Sequence, residues 1–136
     1  MKAYRLLRTN VAECLNAFEI NPTSWVLLGI IRESKDGVRL IEVANTMNVK
    51  APLVTTLVQD LMAKGLIELL PHHSDRRVKL LMLTPNGKVF IKKVETSMEK
   101  SLRGILAGTT PGDLKGFESV LEAIVSNSSD VENTRV

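Results

Sequence analysis

The stretch over residues 41–83 constrains the fold most: two short helical patterns meet at a tight polar turn, and two β-like runs follow at once around a charged loop. In IEVANTM, Ile41, Ala44 and Met47 recur at every third residue, which puts them together on the buried side of a short helix. Asn48 comes next, and asparagine tolerates the left-handed backbone that a tight interhelical turn needs. Pro52 suits the opening turn of a new helix, where its missing N–H would go unpaired in any case. That helix, residues 52–64, ends at Gly65, a common stop. Leu53, Val54, Leu57, Val58, Leu61 and Met62 form its apolar stripe, while Pro52, Thr55, Thr56, Gln59 and Ala63 fall on the other side. The expectation is a buried face backed by a small, polar, nearly uncharged one.

Residues 66–70 and 78–83 read as the two strands of a hairpin. The loop between them, Pro71-His72-His73-Ser74-Asp75-Arg76-Arg77, is longer than the roughly two to five residues common in hairpins, which suggests a task for it. Residues 38–40 are either a short extended piece or the lead into the next helix. Upstream, Tyr4, Leu7, Val11, Leu15 and Phe18 share one helical face over residues 2–18. After Asn21-Pro22, Thr23 or Ser24 is able to cap a second helix that carries Trp25, Val26, Leu28, Ile30 and Ile31 and stops at the Asp36-Gly37 turn. Downstream, Thr84-Pro85 opens a long helix with Phe90, Val94, Met98, Leu102, Ile105 and Leu106 on one face. Thr110-Pro111-Gly112-Asp113 opens the last, lined by Leu114, Phe117, Val120, Leu121, Ile124 and Val125. Met47, Met62, Met82 and Met98 stand at apolar positions and read as core, as does the lone Trp25. The expected fold is mainly helical, α+β, with one small antiparallel hairpin.

At 136 residues with 44% hydrophobic and 24% charged side chains, the chain has the size and make-up of one globular domain, not of a collagen-like or wholly disordered chain. No apolar run approaches the ~18 residues of a membrane span, and the first residues lack a signal-peptide core. The expectation is a cytoplasmic protein with no membrane partner. Cys14 is the single cysteine, so no internal disulfide forms, and with two adjacent histidines it cannot make a structural zinc site. No cofactor is expected. No phosphate-cradling Gly loop, GxSxG or HExxH occurs, and no Ser or Cys stands beside a plausible base, so catalysis is not expected either.

Net charge is only +3, but its distribution is uneven. Residues 113–136 hold five acids and two bases, and the first 112 hold 16 bases and 10 acids. A basic body with an acidic end fits a polyanion-binding surface away from that end. A helix-turn-helix sets its second helix in the DNA major groove, where Thr55 and Thr56 can reach phosphates, bases or a thymine methyl and Gln59 can pair with adenine. A solvated helix face would read the same way. The hairpin loop adds weight: Arg76, Arg77 and Lys79 against Asp75 make a basic finger suited to a narrow minor groove, and Asp75 is close enough to hold Arg77 extended. His72 and His73 then fall near phosphates, and His73 and Ser74 count among the expected DNA contacts. His72 and His73 would need two further ligands to hold a metal, and only Asp75 is near in sequence, so they read as loop residues.

Asp75-Arg76-Arg77 through Leu83-Thr84-Pro85-Asn86-Gly87 resembles the D-x-R…L-T-x-x-G wing signature of the multiple antibiotic resistance regulator (MarR) family, and Thr23-Ser24-Trp25 resembles the start of that family's second helix. The helix order matches along nearly the whole chain. The resemblance implies a winged helix-turn-helix homodimer that represses from a pseudo-palindromic double-stranded DNA operator and is often released by a small aromatic or phenolic effector. It makes Arg77 the minor-groove arginine, Asp75 its partner, and Pro52, Thr55, Thr56 and Gln59 recognition-helix residues. The implied organisation is a DNA-binding core at 23–83, dimerisation helices at 1–20 and 84–126, and a disordered tail at 127–136. Leu7, Val11, Leu114, Phe117, Leu121 and Ile124 lie on stripes too extensive for a monomer's outer surface and are the expected dimer contacts. Some members sense oxidants with a cysteine near the start of the first helix, supported by tyrosines. Cys14 stands near that helix's end, beside Glu13 and with Tyr4 as the sole tyrosine, so a small packed residue is the better reading. A winged-helix module that binds protein in place of DNA is the alternative.

Overall fold

The computed structural model describes residues 1–134, with side chains through residue 128. Among the described residues eight elements follow one another: α1 Lys2–Ala17, α2 Pro22–Glu33, α3 Leu40–Met47, α4 Ala51–Ala63, β1 Ile67–Pro71, β2 Lys79–Leu83, α5 Pro85–Ile105 and α6 Pro111–Thr134. This is the expected mainly helical winged-helix architecture with one two-stranded antiparallel sheet. The chain divides into two units, Met1–Leu102 and Arg103–Val136.

In the first unit, Leu15 and Ile20 pack with Leu27, Leu28 and Ile31 of α2, Val43 and Ala44 of α3, and Val54, Leu57, Val58 and Leu61 of α4. Leu66, Ile67 and Leu81 of the hairpin and Ile91 and Val94 of α5 complete the same core. Burying each such Leu, Ile or Val stabilises by about 1.5–3 kcal/mol, so helix pair and hairpin are fixed to one another by a shared apolar centre. The α4 stripe is narrower than its composition suggests: Leu53 and Met62 lie at its margins and are exposed, so Met62 is not core. Ile41 is exposed as well. Helix α3 begins one residue earlier, at Leu40, which turns Leu40, Val43, Ala44 and Met47 inward and Ile41 out. Trp25, Met47 and Met98 are half-buried against the core, as expected.

Local chemistry sets the joints. The α2 cap is Asn21, whose Oδ1 accepts the Ser24 N–H at 2.8 Å, and not Thr23 or Ser24. Pro22 takes the first helical position, so the cap must precede it. Asn48 adopts φ 52°, ψ 48°, the left-handed turn that lets α3 stop and α4 begin at Ala51. Val38 exchanges hydrogen bonds with Leu81 (2.8 and 3.2 Å), a single extended rung beside β2, and Arg39 is extended too, while Leu40 already begins α3. Thr84 precedes α5; its Oγ1 accepts the Gly87 N–H (2.9 Å) and donates to the Gly65 carbonyl (2.6 Å), binding the helix start to the hairpin base.

In the second unit, α6 opens on a reciprocal cap. The Asp113 carboxylate accepts the Thr110 N–H (2.8 Å) and the Thr110 hydroxyl accepts the Asp113 N–H (3.1 Å). Those bonds from Thr110 hold the Asp113 carboxyl below the ordinary aspartate range. Where polar composition suggests a disordered tail at 127–136, α6 instead continues through Thr134. Extending an existing helix avoids the cost of nucleation, and the Ser128 hydroxyl donates back to the Ile124 carbonyl (2.7 Å). Residues 135 and 136 lie outside the described residues. Among the described residues, no helix is long and apolar enough to cross a membrane.

Candidate nucleic-acid interface

Because α4 buries Val54, Leu57, Val58 and Leu61, its opposite side is turned out: Pro52, Thr55, Thr56 and Gln59 are all exposed. The Thr55 and Thr56 hydroxyls donate to the carbonyls of Ala51 and Pro52 (3.1 Å each). Their hydrogens are thereby occupied, which leaves oxygen lone pairs and methyl groups for an incoming surface. The Gln59 side chain has no hydrogen-bond partner among the described residues, so its amide keeps both a donor and an acceptor. Asp60 is drawn aside by Lys64 (3.1 Å), whose ammonium also donates to the Glu19 carbonyl (2.7 Å). The outward face therefore stays neutral. Lys50, exposed just before α4, is a cation that sequence reading passed over. Its signal is isolation: it is the only charged residue between Glu42 and Asp60.

The hairpin pairs Ile67 with Leu83 at its base and Pro71 with Lys79 near its tip. Beyond that rung, the His72 N–H donates to the Val78 carbonyl (2.9 Å) and the Val78 N–H to the Asp75 carbonyl (3.0 Å), closing the loop. His73, Ser74, Asp75, Arg76 and Arg77 project from it, all exposed, with Lys79 exposed at its foot. Asp75 Oδ1 accepts the Arg77 backbone N–H (3.0 Å) and lies 3.6 Å from Arg77 Nε. The Arg77 side chain is nonetheless 95% exposed. An exposed pair like this adds only about 0–1 kcal/mol of stability, so its physical effect is on direction: it narrows the conformations from which the guanidinium reaches outward. Arg76 has no ion-pair partner among the described residues. One core thus carries a neutral helix face and a basic finger.

The apolar residues expected at a dimer contact divide. Val11 is half-buried against its own core, Leu7 is exposed at the margin of α1, and Leu114, Phe117, Leu121 and Ile124 are exposed along α6. An open cleft of about 500 Å³ runs between α1 and the start of α2, lined by Tyr4, Leu7, Arg8, Val11, Ala12, Pro22 and Thr23. A wider neighbouring cleft adds Arg5, and neither arginine has an ion-pair partner among the described residues. Cys14 is half-buried with its thiol 3.7 Å from the Ser97 hydroxyl, while Tyr4 stands ten residues away along α1, about 15 Å. No group of three His, Cys, Asp or Glu side chains is placed to hold a metal among the described residues.

Comparison with known proteins sets this geometry in context. Residues 20–79, the helix pair and most of the hairpin, match the model of the MarR family. The structure of CouR from Rhodococcus jostii RHA1, solved bound to p-coumaroyl-CoA, is similar at a TM-score of 0.75 and 22% identity, covering 90% of this chain and 86% of that one. MarR from E. coli in its apo form is similar at 0.73 and 19%, covering 90% and 91%. BpsR from Bordetella bronchiseptica, described for regulation of its DNA binding by 6-hydroxynicotinic acid, is similar at 0.70 and 18%, covering 91% and 88%.

Proposed function

We propose that this chain, whose residues 20–79 match the MarR family model, is a transcriptional regulator of that family and a homodimeric repressor that binds a pseudo-palindromic operator in double-stranded DNA. On this reading it is a regulator and not an enzyme. The observation that carries the DNA reading is the hairpin tip: a nearly fully exposed Arg77 whose direction is restricted by Asp75, beside an Arg76 with no ion-pair partner among the described residues. A cation projecting that far on a short hairpin suits a narrow minor groove. The neutral, amide-bearing face of α4 suits the floor of the adjacent major groove, with Pro52, Thr55, Thr56 and Gln59 toward bases and Lys50, His73, Ser74, Arg76 and Lys79 toward phosphates.

Two copies joined through α1 and the C-terminal helices supply the symmetry a palindrome requires, and the exposed Leu114, Phe117, Leu121 and Ile124 support that contact. The effector is a small aromatic or phenolic anion in the α1–α2 cleft, with Tyr4, Leu7 and Val11 against its ring and Arg8 against its charge. A ligand held there alters the relation between α1 and the DNA-reading core and shifts the population able to bind both half-sites. The reading places the protein in the cytoplasm with its operator.

Selection of bound sequences from random duplex DNA with the purified protein tests this directly. The expected product is an inverted repeat with half-sites about 10 bp or a multiple apart. Phenolic acids that bind the protein then weaken its hold on that sequence. Retention on heparin that is absent or insensitive to salt, with no enriched sequence, favours a protein-binding module.

A further inference from the structure

The hairpin tip carries two groups that the arginine-centred reading leaves idle, the imidazoles of His72 and His73. Their rings stack, with centroids 4.3 Å apart and planes 29° from parallel. The two are not equivalent. His72 is half-buried, and its Nδ1 accepts the backbone N–H of Ser74 at 3.1 Å. An accepting Nδ1 bears no hydrogen, so this ring carries its hydrogen on Nε2, and a second proton would displace the Ser74 bond that shapes the loop. His73 is exposed, and its ring makes the stack and no hydrogen bond among the described residues. It is the imidazole that can take a proton without disturbing the fold.

We propose that His73 is a proton-linked phosphate contact, held in place by its stack on His72, so that the wing takes up a proton when it docks on DNA and grips more tightly as pH falls. The proposal rests on the DNA-binding reading of the wing. The charged side chains of the hairpin that carries His73 are Asp75, engaged by Arg77, then Arg76 and Arg77 in the loop, Lys79 at the start of β2 and, three rungs below the tip pair, Glu68 on β1. Imidazole changes charge between about pH 5 and 8, within reach of ordinary binding experiments. Phosphates arriving at this cluster stabilise the charged ring, and linkage then requires affinity to rise as protons become available.

The test uses the full chain and a labelled mixed-sequence duplex of about 30 bp, with anisotropy read at fixed salt near pH 6 and near pH 8. The parent protein is expected to bind at least about threefold tighter at the lower pH, with a salt slope steeper by up to about 0.9 for each charge gained. His73→Gln is expected to lose the gain, binding with nearly the same affinity near pH 6 as near pH 8. His72→Gln, which removes the stacking platform, reduces the same gain. Equal parental binding at both pH values, or a full gain in His73→Gln, overturns the proposal while leaving the DNA reading intact. Absence of parental binding at either pH overturns both.

Discussion

Gly87 lies so close to Leu66 that a β-carbon on it would stand 2.0 Å from the Leu66 carbonyl oxygen. The start of α5 therefore presses directly on the strand entry of the hairpin, held there by Thr84, and only glycine fits the contact. The obstacle is backbone, which cannot swing aside as a flexible side chain would. Gly87→Ala is expected to cost at least about 2 kcal/mol, read as a lower denaturation midpoint in urea with unchanged slope. A parental midpoint would mean the two elements separate easily.

Ser24 offers the opposite case. It is fully buried, yet its hydroxyl has no hydrogen-bond partner among the described residues. An unpaired buried hydroxyl costs about 1–3 kcal/mol, whereas alanine fills nearly the same space without a polar group. Ser24→Ala is expected to leave stability unchanged or raise the melting temperature, although most changes at a fully buried position lower it. A clear fall in a thermal melt sinks the idea.

How legible these features were depended on the range of the forces behind them. The α4 face could be read because Val54, Leu57, Val58 and Leu61 repeat with helical period, and the Asp75–Arg77 contact because an aspartate reaches the backbone N–H two residues on. The inward turn of α3 could not, since it depends on a helix start at Leu40, set by Glu42 accepting the Arg39 N–H. A one-residue shift there exchanges Ile41 for Val43. The Val38–Leu81 rung joins residues far apart in sequence and has no local signal, and neither does the Ser74 bond that distinguishes His72 from His73.

The α6 cap gives a pH dependence of known sign. Hydrogen bonds from Thr110 lower the folded-state Asp113 carboxyl below its ordinary value, so its stabilising contribution is present above the unfolded value near about 3.9. It is lost as pH falls through the folded value. An NMR titration of the Asp113 carboxyl is expected to show a midpoint below that of an ordinary aspartate, and Asp113→Ala to abolish the local acid-dependent fraying at the start of α6. A midpoint at or above the ordinary value contradicts the cap.

The exposed face of α6 carries the dimer prediction. Leu121 and Ile124 are 46% and 57% exposed in the single chain. If a second copy covers them, Leu121→Asp or Ile124→Asp buries an unpaired charge in the interface and shifts the protein to monomer, and with it the operator affinity collapses. Sedimentation equilibrium at micromolar concentration separates the outcomes. A parent protein that is itself monomeric there removes the two-fold reading.

If Arg77 enters the minor groove and Asp75 directs it, the two act as a unit and their substitutions cannot be additive. Arg77→Ala is expected to cost about 1–3 kcal/mol of binding per subunit, most at operators with A·T pairs where the wing lands. Asp75→Ala leaves the cation and loses only the constraint from the 3.0 Å bond to the Arg77 backbone, so it costs less. In the Arg77→Ala background, Asp75 has no cation to direct and is a bare negative charge near phosphate. Its removal there is therefore expected to be neutral or favourable, a reversal of sign that a merely structural aspartate would not produce. Arg76→Ala, in contact with phosphate alone, weakens all sequences alike and reduces the salt slope by about 0.9. Anisotropy on the three single variants and the Asp75/Arg77 double variant at several salt concentrations reads every term. Parental affinity in Arg77→Ala removes the wing from the interface.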